Sequence, residues 1–116
     1  MRGRLGDRQR LQHMLSSIAE IESYTSDVSF EVFVENSMMR FATIKQLEII
    51  GEAANLITEE SRTSLPDIPW RQIIGLRHIL VHEYLGIDDV LVWQVLEKDL
   101  PFLKENITSL LALWEE

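Results

Sequence analysis

Val92-Trp93-Gln94-Val95-Leu96-Glu97-Lys98-Asp99-Leu100-Pro101-Phe102-Leu103-Lys104-Glu105-Asn106-Ile107-Thr108-Ser109-Leu110-Leu111-Ala112-Leu113-Trp114 carries the cleanest periodicity in the chain. Trp93, Leu96, Leu100, Leu103, Ile107, Leu110 and Trp114 recur at alternating steps of three and four, the spacing of one apolar stripe on an α-helix. Asp88 or Asp89 is suited to open this helix as its N-cap. Pro101 lies off the stripe, removes the hydrogen bond to the Glu97 carbonyl, and should bend the helix there.

The same period extends backwards from this seam. Pro69 fits the first position of a helix running from about 69 to 84, with Asp67 near its positive end and Gly86 as the stop. Ser61 to Ile68 reads as polar, proline-containing loop. Met38 through Ile57 is apolar on more than one side, which predicts a central helix touched by several neighbours, capped by Asn36 or Ser37. Gly51 inside it costs about 1 kcal/mol relative to Ala, and close approach of another backbone is the usual reason to keep such a residue. Ser29 to Val34 predicts a short helix, although Val32-Phe33-Val34 has strand propensity. Leu11, Met14, Leu15, Ile18 and Ile21 place a first amphipathic helix at about 8–24. The expected fold is therefore all-α: an up-and-down bundle of four main helices plus one short extra helix.

Composition bounds the function. A chain of 116 residues suits one domain, 1–116, with residues 1–8 as a flexible N-terminal arm rich in Arg and Gly. No apolar run reaches the roughly 20 residues of a membrane helix, and the start lacks a secretory core, so a cytoplasmic protein without membrane contact is expected. With no cysteine, and histidines only at 13, 78 and 82, neither a metal site nor a cofactor is expected. The net charge of −8 disfavours a general nucleic-acid-coating protein and suits a basic protein partner. That charge is uneven: residues 1–35, 36–84 and 85–116 carry −2, −1 and −5. The near-neutral middle leaves room for a local positive pocket.

Arg77-His78-Ile79-Leu80-Val81-His82-Glu83-Tyr84 concentrates the reactive chemistry in that middle third. An arginine, a histidine and a tyrosine can hold a phosphate, move a proton and accept a modification, which points to phosphodiester chemistry. On an ideal helix Trp70, Ile73, Arg77, Leu80 and Tyr84 share a stripe, while Arg71, Gly75, His78 and His82 form another. Arg77 on an apolar stripe needs a partner, because burying an unpaired charge is costly. Either Glu48 or Glu52 meets it as a structural ion pair, or it faces a cleft that receives an anion. His82 sits five residues on, about 140° around the helix, so one regular helix cannot aim both groups at one point. A loosened last turn or a second copy across a symmetric interface would resolve that. Alternatively, His82 near a helix C-terminus gains only from the dipole, and Tyr84 is a core aromatic with its hydroxyl at the rim. His13 and His78 read as surface residues. Glu48 and Glu52, one turn apart, are candidates to orient an arginine from behind the site rather than to react. Arg2, Arg4, Arg8 and Arg10 read as a solvated tail.

The pattern R-x-x-x-x-H-x-Y formed by Arg77, His82 and Tyr84 resembles the HEPN superfamily, and within it the HepT toxin family encoded beside MNT-type nucleotidyltransferases. Gln46-Leu47-Glu48-Ile49-Ile50-Gly51-Glu52-Ala53-Ala54, Ile68-Pro69-Trp70-Arg71, Val92-Trp93 and Asp99-Leu100-Pro101 are similar to that family too, so the resemblance runs from about Leu11 to the C-terminus. It implies a helical bundle that forms a homodimer with two motifs lining one cleft. It implies metal-independent endoribonuclease activity of a bacterial or archaeal toxin–antitoxin system, with Arg77 and His82 catalytic and RNA as substrate. It also implies silencing by AMP transfer to Tyr84 from a nucleotidyltransferase antitoxin. A non-catalytic HEPN helper subunit of a nucleotidyltransferase is the alternative, and a purely structural helical dimer is a third.

Overall fold

The computed structural model describes the backbone of residues 2–75 and 88–115, with side chains from residue 5 onward. Residues 76–87, which hold Arg77, His82, Tyr84 and the Gly86 stop, lie outside the described residues. Among those described, the regular structure is entirely helical. Helix α1 spans Arg2–Thr25, α2 Phe30–Glu35, α3 Ser37–Asn55 and α4 Glu59–Ser64. Residues 70–75 are also helical and are named α5. The last helical run comprises α6 (Asp89–Gln94), a π-helical turn (Val95–Asp99) and α7 (Leu100–Trp114). No helix among the described residues is long and apolar enough to cross a membrane.

Helix α1 packs chiefly on α3 and then on α7. The expected stripe supplies the contact: Leu11, Met14, Ile18 and Ile21 are buried, with Leu15 half-buried beside them. Opposite them α3 buries Ile44, Leu47, Ile50, Gly51, Ala53 and Ala54. Each large apolar side chain removed from water in this core contributes about 1.5–3 kcal/mol. Polar caps then set the element boundaries. Ser29 accepts from the Val32 amide at the start of α2, Asn36 from the Met39 amide at the start of α3, and Asp88 from the Val90 and Leu91 amides at the start of α6. The short helix α2 is held by Phe33, fully buried, whose ring lies 5.1 Å from that of Trp93, with Phe30 at 5.9 Å from the same indole.

Three expectations are corrected. The first helix begins at Arg2 rather than near residue 8, so residues 2–8, expected within a flexible arm, are helical. Asp7 supplies the reason: its side chain is fully buried and bonded to Thr58 and Ser61. Second, the expected loop at 61–68 starts inside a helix, α4, which Thr58 caps by accepting from the Ser61 amide and which carries Glu59 and Glu60 in its first turn. Arg62 on α4 donates to the carbonyls of Ala54 and Asn55, 3.1 Å each, closing the end of α3.

Third, the disturbance expected at Pro101 takes the form of the π turn just before it, in which the Leu100 amide reaches back to the Val95 carbonyl. That turn inserts one extra residue and shifts the seam. Val92 is buried ahead of it, Val95 at its start and Leu100, Leu103, Ile107 and Leu110 after it, while Trp93 and Leu96 are half-buried instead of central. Pro101 itself is exposed, off the stripe as expected.

Candidate active site

The segment that carries the Arg77, His82 and Tyr84 candidates is flanked by two anchored ends. On the upstream side α5 is fixed by the indole of Trp70, whose Nε1 donates to the Leu65 carbonyl at 3.1 Å, and Ile73 and Ile74 pack against the core. The Ile73 amide bonds the Pro69 carbonyl, so the helix starts one residue beyond the proline. On the downstream side the chain re-enters α6 through the Asp88 cap. Arg40 of α3 holds that entry, its Nε 3.7 Å from the Asp89 carboxylate, while its guanidinium also donates to the Val34 carbonyl. The residues between these anchors, Arg77, His82 and Tyr84 among them, lie outside the described residues.

Glu48 and Glu52 do fall on one side of α3, one turn apart. Glu48 is half-buried and Glu52 exposed. Glu52 lines a shallow cleft between α1 and α3, together with Gln9, Arg10, His13, Ile49 and Leu56. Arg10 therefore belongs to this surface and not to a solvated tail, and Arg8 pairs with Glu115 at 3.0 Å. His13 is exposed, as expected for a surface residue, and lies one turn from Arg10 on the same cleft wall. The spacing of Arg10 and His13 on a periodic helix was the available signal.

Asp7 is the buried carboxylate that sequence reasoning missed. It accepts from the Thr58 amide at 3.0 Å, the Thr58 hydroxyl at 2.5 Å and the Ser61 hydroxyl at 2.6 Å. Burial works against its charged form, but the hydroxyls of Ser61 and Thr58, the Thr58 amide and the nearby Arg10 guanidinium outweigh it and hold the pKa below the ordinary carboxylate value. All its partners tie the start of α4 to α1, so this group stays charged as a structural fastener.

A second cleft lies between α4 and α5, lined by Glu59, Arg62, Thr63, Trp70, Arg71 and Ile74. It sits where α5 leads into the reactive motif.

The family described as Ribonuclease HepT-like matches residues 14–110 of the chain. The chain belongs to the HepT-like family. This HepT-like chain is 39% identical over 97 residues to a candidate RNase of Methanocaldococcus jannaschii, covering 84% of the chain and 89% of that relative. It is 36% identical over 100 residues to a candidate ribonuclease HepT of Thermococcus cleftensis, covering 86% and 91%. A candidate RNase of Caldanaerobacter subterraneus is 33% identical over 104 residues, covering 90% and 93%. No solved structure matches the HepT-like chain. The matched span includes α3, α5 and the last helical run as far as residue 110, and thus both anchors that flank residues 76–87.

Proposed function

We propose that the protein is a metal-independent endoribonuclease that cuts RNA with Arg77 and His82, and that Tyr84 is the acceptor through which it is silenced. The observation that carries this reading is the family match across residues 14–110, a span that contains R-x-x-x-x-H-x-Y at 77–84, together with the RNase names of relatives matched along most of their lengths.

The chemistry follows from the residue types. The 2′-oxygen of one ribose attacks the adjacent phosphorus while the bond to the 5′-oxygen breaks, leaving a cyclic phosphate and a free 5′-hydroxyl. His82 takes the proton from the 2′-hydroxyl or gives one to the departing 5′-oxygen, since an imidazole with a reference pKa of about 6.5 can do either near neutrality. Arg77 grips the phosphate with two parallel N–H donors and stabilises the charge that gathers on its oxygens. Glu48 and Glu52 orient that arginine. Two copies of the chain, each contributing a motif to one cleft, resolve the roughly 140° separation of Arg77 and His82 on a regular helix.

AMP transferred to Tyr84 by an MNT-type nucleotidyltransferase would add negative charge and bulk beside the cleft, excluding RNA phosphate on both counts. That makes the pair a toxin and its antitoxin in the cytoplasm of a bacterium or archaeon. The net charge of −8 favours one further reading, a non-catalytic helper subunit docked on a basic nucleotidyltransferase. Purified wild-type protein, Arg77→Ala and His82→Ala, each assayed on RNA with and without chelator, separates the two. The nuclease reading expects cleavage by wild type alone, unchanged by chelator. Equal cleavage by all three proteins, or by none, rejects it.

A further inference from the structure

The cleft between α4 and α5 joins an aromatic ring to a guanidinium that the fold does not use. Trp70 is half-buried, and its indole is fixed by the bond to the Leu65 carbonyl. Arg71, next to it, is exposed and has neither hydrogen bond nor ion pair among the described residues. Across the cleft Arg62 adds a second positive charge, while Glu59 supplies the single negative one among the described residues of the lining. This is a local excess of positive charge on a chain whose net charge is −8. Gly75, one turn after Arg71, has none of the described residues within 4 Å of where a Cβ would stand.

We propose that this cleft is a nucleotide subsite for single-stranded RNA, in which a base stacks on Trp70 and Arg71 holds a backbone phosphate, with Arg62 reinforcing the field. The inference rests on the ribonuclease reading for its substrate class. Stacking on an aromatic side chain contributes about 1–3 kcal/mol per base and accepts any base, because every base presents a π face. A guanidinium matches a phosphate bidentately. Arg71 precedes Arg77 by six residues, a stretch that spans at most about 22 Å even when fully extended, so a strand held here reaches the reactive motif within a few nucleotides. The subsite would thus position RNA flanking the cut and leave the choice of base open.

The test uses a 2′-O-methyl RNA oligonucleotide of about eight nucleotides, within the site size of single-strand binders. It has no free 2′-hydroxyl and cannot be cut by the proposed chemistry. Its Kd is measured by fluorescence anisotropy across a salt series for wild type, Arg71→Ala, Arg71→Lys and Trp70→Phe. Arg71→Ala should weaken binding about tenfold and lower the salt slope by about 0.7, the share of one single-strand phosphate. Arg71→Lys should keep most of the slope. Trp70→Phe should weaken binding about threefold and leave the slope unchanged. Identical Kd and slope in wild type and Arg71→Ala, or no binding by wild type, overturns the proposal. If that same wild type cuts unmodified RNA through His82, the subsite falls while the nuclease stands. If binding depends on Arg71 and no RNA is cut, the reverse holds.

Discussion

The Asp7 carboxylate accepts a hydrogen bond from the Ser61 hydroxyl at 2.6 Å, across 54 residues of sequence and with both side chains buried. With the two bonds from Thr58 it fastens the first turn of α4 onto α1. Asp7→Ala removes the acceptor and leaves the buried Ser61 hydroxyl and two half-buried Thr58 donors without it, which should destabilise the fold by about 2 kcal/mol. Chemical denaturation of the two proteins measures this, and a difference under about 0.5 kcal/mol, the scale of ordinary surface changes, would contradict the role given to Asp7.

The same group sets an acid dependence. The folded pKa of Asp7 lies below its unfolded value, so across that interval the unfolded chain binds more protons than the folded one. Its contribution is therefore complete above the unfolded value, about pH 4, and is lost as pH falls through the folded value. Thermal melts should show the wild-type advantage over Asp7→Asn at pH 6 shrinking steadily below about pH 4. An advantage that grows on acidification would reverse the sign and rule out this linkage.

How far the chain announces this structure depends on what holds each element. Leu11, Met14, Ile18 and Ile21, or Leu100, Leu103 and Ile107, are tied to the core by apolar burial, and burial writes a period into the sequence. Helix α4 carries no such stripe: its one buried residue is Ser61, polar and held by Asp7, so nothing periodic marks it. The π turn at Val95–Asp99 is a slip in hydrogen bonding, signalled only by Pro101 two residues on. For the site, residue types and spacing at Arg77, His82 and Tyr84 are readable directly, and Glu48 and Glu52 fall on one side of α3 as expected. Whether Arg77 and His82 meet is a matter of three-dimensional register, which sequence spacing alone does not provide.

Gly6 lies within α1, where an alanine Cβ would stand 2.8 Å from one terminal nitrogen of Arg10. That atom is the far end of a flexible side chain and can swing aside, whereas glycine inside a helix costs about 0.5–1 kcal/mol relative to alanine. Gly6→Ala should therefore raise stability by about 0.5 kcal/mol. A lower melting temperature would show that the position of Arg10 over Gly6 matters more than helix propensity.

Thr43 is fully buried on α3, and its hydroxyl has no hydrogen-bond partner among the described residues. Replacing it with the isosteric valine removes a buried polar group without opening a void. Thr43→Val should raise stability by about 1 kcal/mol in denaturant titration. A loss of stability would mean that the hydroxyl is satisfied in solution.

Co-expression with an MNT-type nucleotidyltransferase should add one or more AMP units to the protein, read by intact mass. Tyr84→Phe should abolish the addition and leave the protein active on RNA. A phenylalanine variant that still gains the mass would move the acceptor to another residue.

If His82 moves the proton when RNA is cut by its own 2′-hydroxyl, its removal must show in both the rate and the product ends. Wild type and His82→Ala, matched for helical content, should be incubated with a defined RNA, and the product ends identified by mass spectrometry. Wild type should leave cyclic phosphate and 5′-hydroxyl ends, and the variant should lose at least about a hundredfold in rate, the lower end of what general acid–base catalysis contributes. Products with 5′-phosphate ends, or an undiminished rate in His82→Ala, would contradict this mechanism.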